Sequence, residues 1–312
     1  MVQLLDFLTG KDFKNMWFTF SLITIVMWGG SDLFSKWGTR PSDKYSHHRL
    51  IITVGTVMGL HAVYTLLTAG IEFSPMDIVT YFPVSFMYIL SMALGYAGLR
   101  YIELSVSSPI CNSSGAVAAI LCFIFLGQRM VGLQIAGVVL ITLGIVLLAI
   151  YEKRRSDEKL EKTDENKKFR VGVLAILFPI LYCAIDGMGS FMDAWWLENL
   201  MDEDIANTAY ELTFAICAAV SFVYLRFIRR QNFSYIKEPK FCLGAICETI
   251  GQFTYIYALG DNAIVAAPMI ASYSIFSVVL SRIVLKEKLK PVQYGIIIMV
   301  MAGIAILGIF DA

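Results

Sequence analysis

Residues 96–150 read YAGLRYIELSVSSPICNSSGAVAAILCFIFLGQRMVGLQIAGVVLITLGIVLLAI, and residues 255–309 read YIYALGDNAIVAAPMIASYSIFSVVLSRIVLKEKLKPVQYGIIIMVMAGIAILGI. The two stretches align without a gap at a constant offset of 159. Tyr96, Val106, Pro109, Ser113, Leu121, Ile124, Leu126, Gln134, Gly144, Ile145, Leu148 and Ile150 each meet an identical residue, 12 identities in 55 positions. The match crosses three hydrophobic segments with no insertion, which shared apolarity alone does not produce. Each copy closes a half with an odd number of apolar spans. A duplicated odd-numbered unit has to lie upside down in a bilayer relative to its partner, as an inverted repeat.

Composition agrees with a membrane setting. Of 312 residues, 57% are hydrophobic and only 16% are charged, against about 25% charged in soluble domains. Disorder is excluded, and a soluble enzyme is disfavoured. Twenty-five basic residues balance twenty-five acidic ones, so nothing invites a nucleic acid. Six cysteines, Cys111, Cys122, Cys183, Cys217, Cys242 and Cys247, sit in or near apolar segments without a CxxC pair. They read as small hydrophobes packing between helices. The first apolar stretch begins near Met16 and lacks a small-residue cleavage site, so a retained span is expected there.

A membrane-crossing helix needs about 20 mainly apolar residues. Ten stretches qualify: 16–37, 49–69, 79–99, 105–126, 132–151, 171–194, 206–228, 240–259, 263–285 and 291–310. The expectation is an all-α integral membrane protein with ten transmembrane helices in two inverted five-helix repeats, 1–151 and 171–312. Spans 1 and 6 also correspond, with Trp28-Gly29-Gly30-Ser31-Asp32 over Tyr182-Cys183-Ala184-Ile185-Asp186. Between the halves, residues 152–170 hold eight Lys or Arg among six acids and almost nothing apolar, which predicts a mobile tether.

Ten spans place both termini on one face. That face carries three basic residues, Lys11, Lys14 and Arg129; the opposite face carries 21, and Lys36 lies within span 1. Glu198, Asp202, Glu203 and Asp204 crowd a loop on the terminal face. Basic residues stay on the cytoplasmic side. The expected protein is multi-pass in the cell membrane, with the linker face cytoplasmic and both termini external.

An ionised group at mid-membrane costs about 2.5–3.5 kcal/mol on insertion scales, so each needs a reason. In span 1, Asp32 and Lys36 share a face with Trp28, one turn apart. They are either a self-neutralising pair or groups for a substrate or coupling ion. In span 6, Tyr182, Asp186, Gly189 and Asp193 form one stripe with no basic residue in the span. Asp186 reads as functional, while Asp193, nearer the end, is equally explained by interfacial hydration. Span 8 sets Glu248, Gln252 and Tyr255 on one face, an arrangement hard to place against lipid. Glu211, about a turn inside span 7, suits snorkelling or capping as well as function. His61 is a hydrogen-bonding residue or a proton relay. Acids outnumber bases across the spans, and a cavity shared by several of them favours cations, zwitterions or protons over phosphates.

Pro109 and Pro268 occupy equivalent sites early in spans 4 and 9. Each removes a helical hydrogen bond. Ser107, Ser108, Asn112, Ser113 and Ser114 surround the first, and Ser272, Tyr273 and Ser274 the second. These regions are candidates for binding or gating, or for close helix packing through small residues. Gly55 and Gly59 form a GxxxG pattern, a signal for a helix contact or a homodimer.

These residues resemble the drug/metabolite transporter superfamily, EamA type. The resemblance rests on Trp28-Gly29, Arg100-Tyr101, and Gln128, Arg129, Gln134 and Gly144. In the second half it rests on Lys286-Glu287-Lys288-Leu289, Gln293 and Gly303. It spans nearly the whole chain and implies two inverted five-helix repeats around a central cavity lined by spans 1, 3, 4, 6, 8 and 9. That layout would bring Asp32, Asp186 and Glu248 to the cavity. The sequence departs from the family in having Gly127-Gln128 where an acid is common. Its charge bias also opposes the cytoplasmic termini usual in that family.

The function expected is secondary transport of a small organic metabolite, cationic or zwitterionic, by alternating access, with proton coupling or exchange. No Walker A sequence is present to bind a nucleotide. An enzyme is not expected: His47-His48-Arg49 is the one candidate cluster, and no metal-binding or serine-elbow pattern occurs. Neither cofactor nor metal is expected. A membrane sensor or assembly protein without transport is the alternative. Trp28, Asp32, Lys36, Asn112, Tyr182, Asp186, Glu248, Gln252, Tyr255 and Tyr273 are the candidate substrate- or proton-binding residues, with Pro109 and Pro268 as hinges. The aromatic members would add cation–π contacts.

Overall fold

The structure is a computed structural model describing residues 16–311, apart from 41, 102–103, 161–164 and 285–289. Lys11, Lys14 and the 286–289 motif lie outside the described residues. The described chain is helical and contains no strand. Its first half holds α1 (Trp17–Gly38), α2 (Ser46–Thr68), α3 (Pro75–Gly98), α4 (Leu104–Asn112), α5 (Ser114–Leu121) and α6 (Gly132–Leu160). The second holds α7 (Glu165–Asn199), α8 (Glu203–Val223), α9 (Pro239–Ala271), α10 (Tyr273–Val284) and α11 (Pro291–Asp311). Single π-helical turns at Cys122–Leu126 and Tyr224–Ile228 follow α5 and α8.

Local chemistry moves several boundaries from their expected places. Helix α3 starts four residues before the expected 79, because Ser74 and Asp77 form a capping box around Pro75. The charged stretch expected to be a tether is largely helical: α6 runs to Leu160 and α7 begins at Glu165, with 161–164 outside the described residues. Lys, Arg and Glu are good helix formers, so polarity alone did not break these helices. Spans 8 and 9 are joined in α9 through one non-helical residue, Asn262, at φ −155° and ψ 73°. The bend leaves backbone N–H groups of the following turn without helical acceptors. One of these, the Ile264 N–H, donates to Gln128 Oε1 at 3.2 Å.

The sequence repeat reappears in the backbone. Ser113 separates α4 from α5 at φ −62° and ψ −10°. Ser272, its partner at offset 159, separates α9 from α10 at φ −66° and ψ −6°. Gln134 accepts the Val131 N–H at 3.0 Å, and Gln293 accepts the Lys290 N–H at 2.5 Å. Both are third-position glutamines reaching back to cap their own helix. The matched glutamines are therefore helix caps.

The halves pack against each other: α1 on α9, α3 on α7, α2 on α8, and α6 on α11. Exchanging the halves turns the α1–α9 pair into the α7–α3 pair and leaves the other two unchanged. Close approach needs small residues: a Cβ on Gly55 would lie 2.4 Å from the Phe214 carbonyl oxygen, and one on Gly59 2.8 Å from Ala215 Cβ. The GxxxG face is thus occupied by α8 of the same chain and is not offered to a second copy. Among the described residues, seven helical stretches are long and apolar enough to cross a membrane, and Pro291–Leu307 is a shorter apolar one. Their outer surface is greasy, with Leu67 80%, Phe125 68% and Ile298 69% exposed.

Candidate functional site

The helices that interlock across the halves line a central chamber. Its wall takes Trp28 and Asp32 from α1, Tyr88 and Tyr96 from α3, Asn112 from α4, and Ser114 from α5. From the second half come Tyr182 and Asp186 of α7, Tyr210 of α8, Glu248, Gln252 and Tyr255 of α9, and Tyr273 of α10. Nine of the ten expected binding residues meet there.

Lys36 is the exception. It sits in the last turn of α1, and its Nζ donates to the Leu99 carbonyl at 2.7 Å. No ion pair between Asp32 and Lys36 occurs among the described residues. Pro109 and Pro268 are buried in α4 and α9, beside the wall residues Ser108 and Ala267.

The carboxylates are held by hydroxyls. Asp32 Oδ2 accepts from Ser108 Oγ at 2.6 Å and from Ser277 Oγ at 2.8 Å. Asn112 supports this by donating to the Ser108 carbonyl at 2.8 Å and its Oγ at 3.2 Å. Asp186 accepts from Ser91 at 3.0 Å and Ser114 at 2.8 Å. Glu248 faces the same space as Ser31. No Lys, Arg or His is among the described wall residues, so neutral dipoles alone support these acids.

Two further features shape recognition. Trp28 packs on Tyr255 at a ring distance of 4.9 Å and edge-on to Tyr273 at 5.5 Å, lodged where Gly251 has no side chain. Three buried wall groups, Trp28 Nε1, the Tyr96 hydroxyl and Gln252 Nε2, have no hydrogen-bond partner among the described residues. A buried donor without an acceptor costs about 1–3 kcal/mol, and a solute bearing an acceptor would relieve that cost.

Two expectations outside the chamber are corrected. Asp193 is not hydrated at an interface: it is fully buried and accepts from the hydroxyls of Tyr81 and Tyr88. Glu211 neither snorkels nor caps. Its fully buried carboxylate contacts His61 Nδ1 at 2.8 Å, which makes His61 its partner across α2 and α8. Sequence reasoning missed Tyr88, Tyr96, Tyr210 and Ser277. Tyr81, Ser85, Tyr88, Met92 and Tyr96 recur at helical spacing along the buried face of α3, and that stripe was the available signal. Among the described residues no cluster of three or more His, Cys, Asp or Glu could hold a metal ion, and the six cysteines are free.

A duplicated protein, helical with no strand among its described residues, with an apolar exterior and a polar chamber shared by both halves has the build of a membrane protein. The profile of the EamA-like transporter family matches residues 15–150 and 171–309, and the chain belongs to that family. It is accordingly a multi-pass membrane protein and a transporter of small molecules. No curated protein matches it in sequence. Among solved structures, one described only as "Crystal structure of protein" is similar in fold, with a TM-score of 0.65, 12% identity, and coverage of 96% of this chain and 98% of its own.

Proposed function

We propose that this protein is a secondary active transporter of a small cationic or zwitterionic metabolite, working by alternating access with proton coupling or exchange. The observation that carries the reading is the chamber wall: Asp32, Asp186 and Glu248 with no basic residue among the described wall residues. An ammonium group would satisfy those acids, and Trp28, Tyr182, Tyr255 and Tyr273 would add cation–π attraction. Trp28 Nε1, Tyr96 and Gln252 would meet an acceptor such as a carboxylate, which favours zwitterions alongside simple amines.

The reading includes ten membrane crossings in two inverted repeats, 1–151 and 171–312, joined by 152–170. The exchange symmetry of the packing pairs and the matched interruptions at Ser113 and Ser272 support it. Pro109 and Pro268 precede those interruptions by four residues and are the proposed gating points. The 21-to-3 bias of basic residues supports a cytoplasmic linker face. In proteoliposomes, labelled putrescine or leucine should enter by counterflow while glucose does not. Asp186→Asn and Glu248→Gln should each reduce putrescine uptake. Undiminished uptake in both variants would refute the assignment of these acids.

A further inference from the structure

Asp193 stands apart from the three chamber carboxylates. It is fully buried, Tyr81 takes its Oδ1, and the Tyr88 hydroxyl lies 3.0 Å from its Oδ2. The Tyr88 oxygen is 2.6 Å from that of Tyr255, which is 3.0 Å from Ser190 Oγ. Tyr88, Tyr255 and Ser190 line the chamber, whereas Asp193 and Tyr81 do not. A continuous hydrogen-bonded chain therefore joins the chamber to a carboxyl group behind its wall. Among the described residues the titratable groups facing it are Tyr81 and Tyr88 of α3, Tyr210 of α8 and Tyr255 of α9, none of them basic.

Counting hydrogens shows what the chain can do. Three links run from Asp193 to Ser190, and the two phenols supply two hydrogens. The third belongs either to the Ser190 hydroxyl or to Asp193 itself. With Asp193 ionised, Ser190 donates to Tyr255, Tyr255 to Tyr88, and Tyr88 to Asp193. With Asp193 neutral, its O–H donates to Tyr88, Tyr88 donates to Tyr255, and Tyr255 donates to Ser190. The oxygen positions are compatible with both directions: Tyr88 is placed to donate to Asp193 and Tyr255 to Ser190, and either phenol can donate to the other. The oxygens need not move between the two states.

We propose that Asp193 is a second proton-binding site, loaded from the chamber through Ser190, Tyr255 and Tyr88. A proton from chamber water forms an O–H bond on Ser190. Ser190 passes its own proton to Tyr255, Tyr255 passes one to Tyr88, and Tyr88 passes one to Asp193. Each relay oxygen breaks one O–H bond and forms one, so a single positive charge reaches the carboxylate and neutralises it. Use of that proton to drive solute movement rests on the transporter reading; its binding does not.

Infrared pH-difference spectra of the full-length protein in lipid test this directly. Asp193→Asn should delete one protonated-carboxyl C=O band. Tyr81→Phe, which removes a donor outside the chain, should shift that band but keep it. Tyr88→Phe cuts the chain and should slow the band's appearance after a pH jump by about tenfold or more. If Asp193→Asn fails to fold, the Tyr88→Phe kinetics decide. A spectrum unchanged by Asp193→Asn, or a band that equilibrates at the unmodified rate in Tyr88→Phe, overturns the proposal. Failure of putrescine and leucine to cross a sealed bilayer while the band persists rejects the proposed cationic or zwitterionic substrate class alone.

Discussion

Asp32 and Ser277 are 245 residues apart in the chain and 2.8 Å apart in space, carboxylate to hydroxyl. The second donor to the same oxygen, Ser108, comes from Asp32's own half, whereas Ser277 belongs to the other. A half-buried carboxyl group of one repeat is thus supported by both.

Removing one of those donors leaves the carboxylate less satisfied, at a cost of about 1–3 kcal/mol. Ser277→Ala should therefore lower the thermal unfolding midpoint of the detergent-purified protein, and Ser108→Ala should do the same. In an Asp32→Asn background either change should cost less, because an amide needs its donors less than a carboxylate does. A double-mutant cycle reads the difference, and zero coupling would rule out Asp32 as the group these serines serve.

Protons and ammonium groups compete for the same chamber carboxylates. Binding of putrescine to an ionised Asp186 should weaken as the medium is acidified, by at most about tenfold per pH unit while one proton is displaced. The sign is fixed by charge: protonation removes the attraction, so affinity is greatest on the alkaline side of the titration. Calorimetry across a pH series would show the slope, and Asp186→Asn should flatten it. A dissociation constant indifferent to pH in the unmodified protein would count against a carboxylate site.

Glycine substitutions should separate packing from propensity. Gly55→Ala places a methyl group 2.4 Å from the Phe214 carbonyl oxygen and should destabilise the protein by about 1–3 kcal/mol through overpacking. Gly295, inside α11, has nothing within 4 Å of its added Cβ. Gly295→Ala should be neutral or stabilising by up to about 1 kcal/mol, because alanine favours helix over glycine. The unfolding midpoint should fall for Gly55→Ala and hold or rise for Gly295→Ala.

The buried Glu211 depends on His61. His61→Ala should strip its partner and cost about 3–5 kcal/mol, as for other broken buried pairs. His61→Gln combined with Glu211→Gln should recover much of that loss by replacing the pair with neutral hydrogen-bonding groups. Equal unfolding midpoints for His61→Ala and the double variant would show that the loss is one of packing alone.

The duplication and the wall acids could be read from sequence because both leave periodic signals. An ungapped offset survives divergence, and a carboxyl amid apolar residues stands out against its neighbours. The stripe of Tyr81, Tyr88 and Tyr96 was less visible, since tyrosine is apolar enough to pass for ordinary packing. Ser277 was invisible: its importance lies in a contact with a residue in the other half, which local spacing does not encode. Lys36 misled because one helical turn from Asp32 looks like a partner's distance, yet its long side chain reaches the Leu99 carbonyl instead. The charged stretch misled through composition, since a solvated segment with strong helix formers need not be irregular.

Because the wall of the chamber alternates between the halves, neither copy owns it. A lone first half would keep Asp32 yet forfeit Ser277, Glu248 and Tyr255; a lone second half would keep Asp186 without Ser91 and Ser114. Each half is therefore the other's complement: neither by itself holds all the donors that its own carboxylate uses.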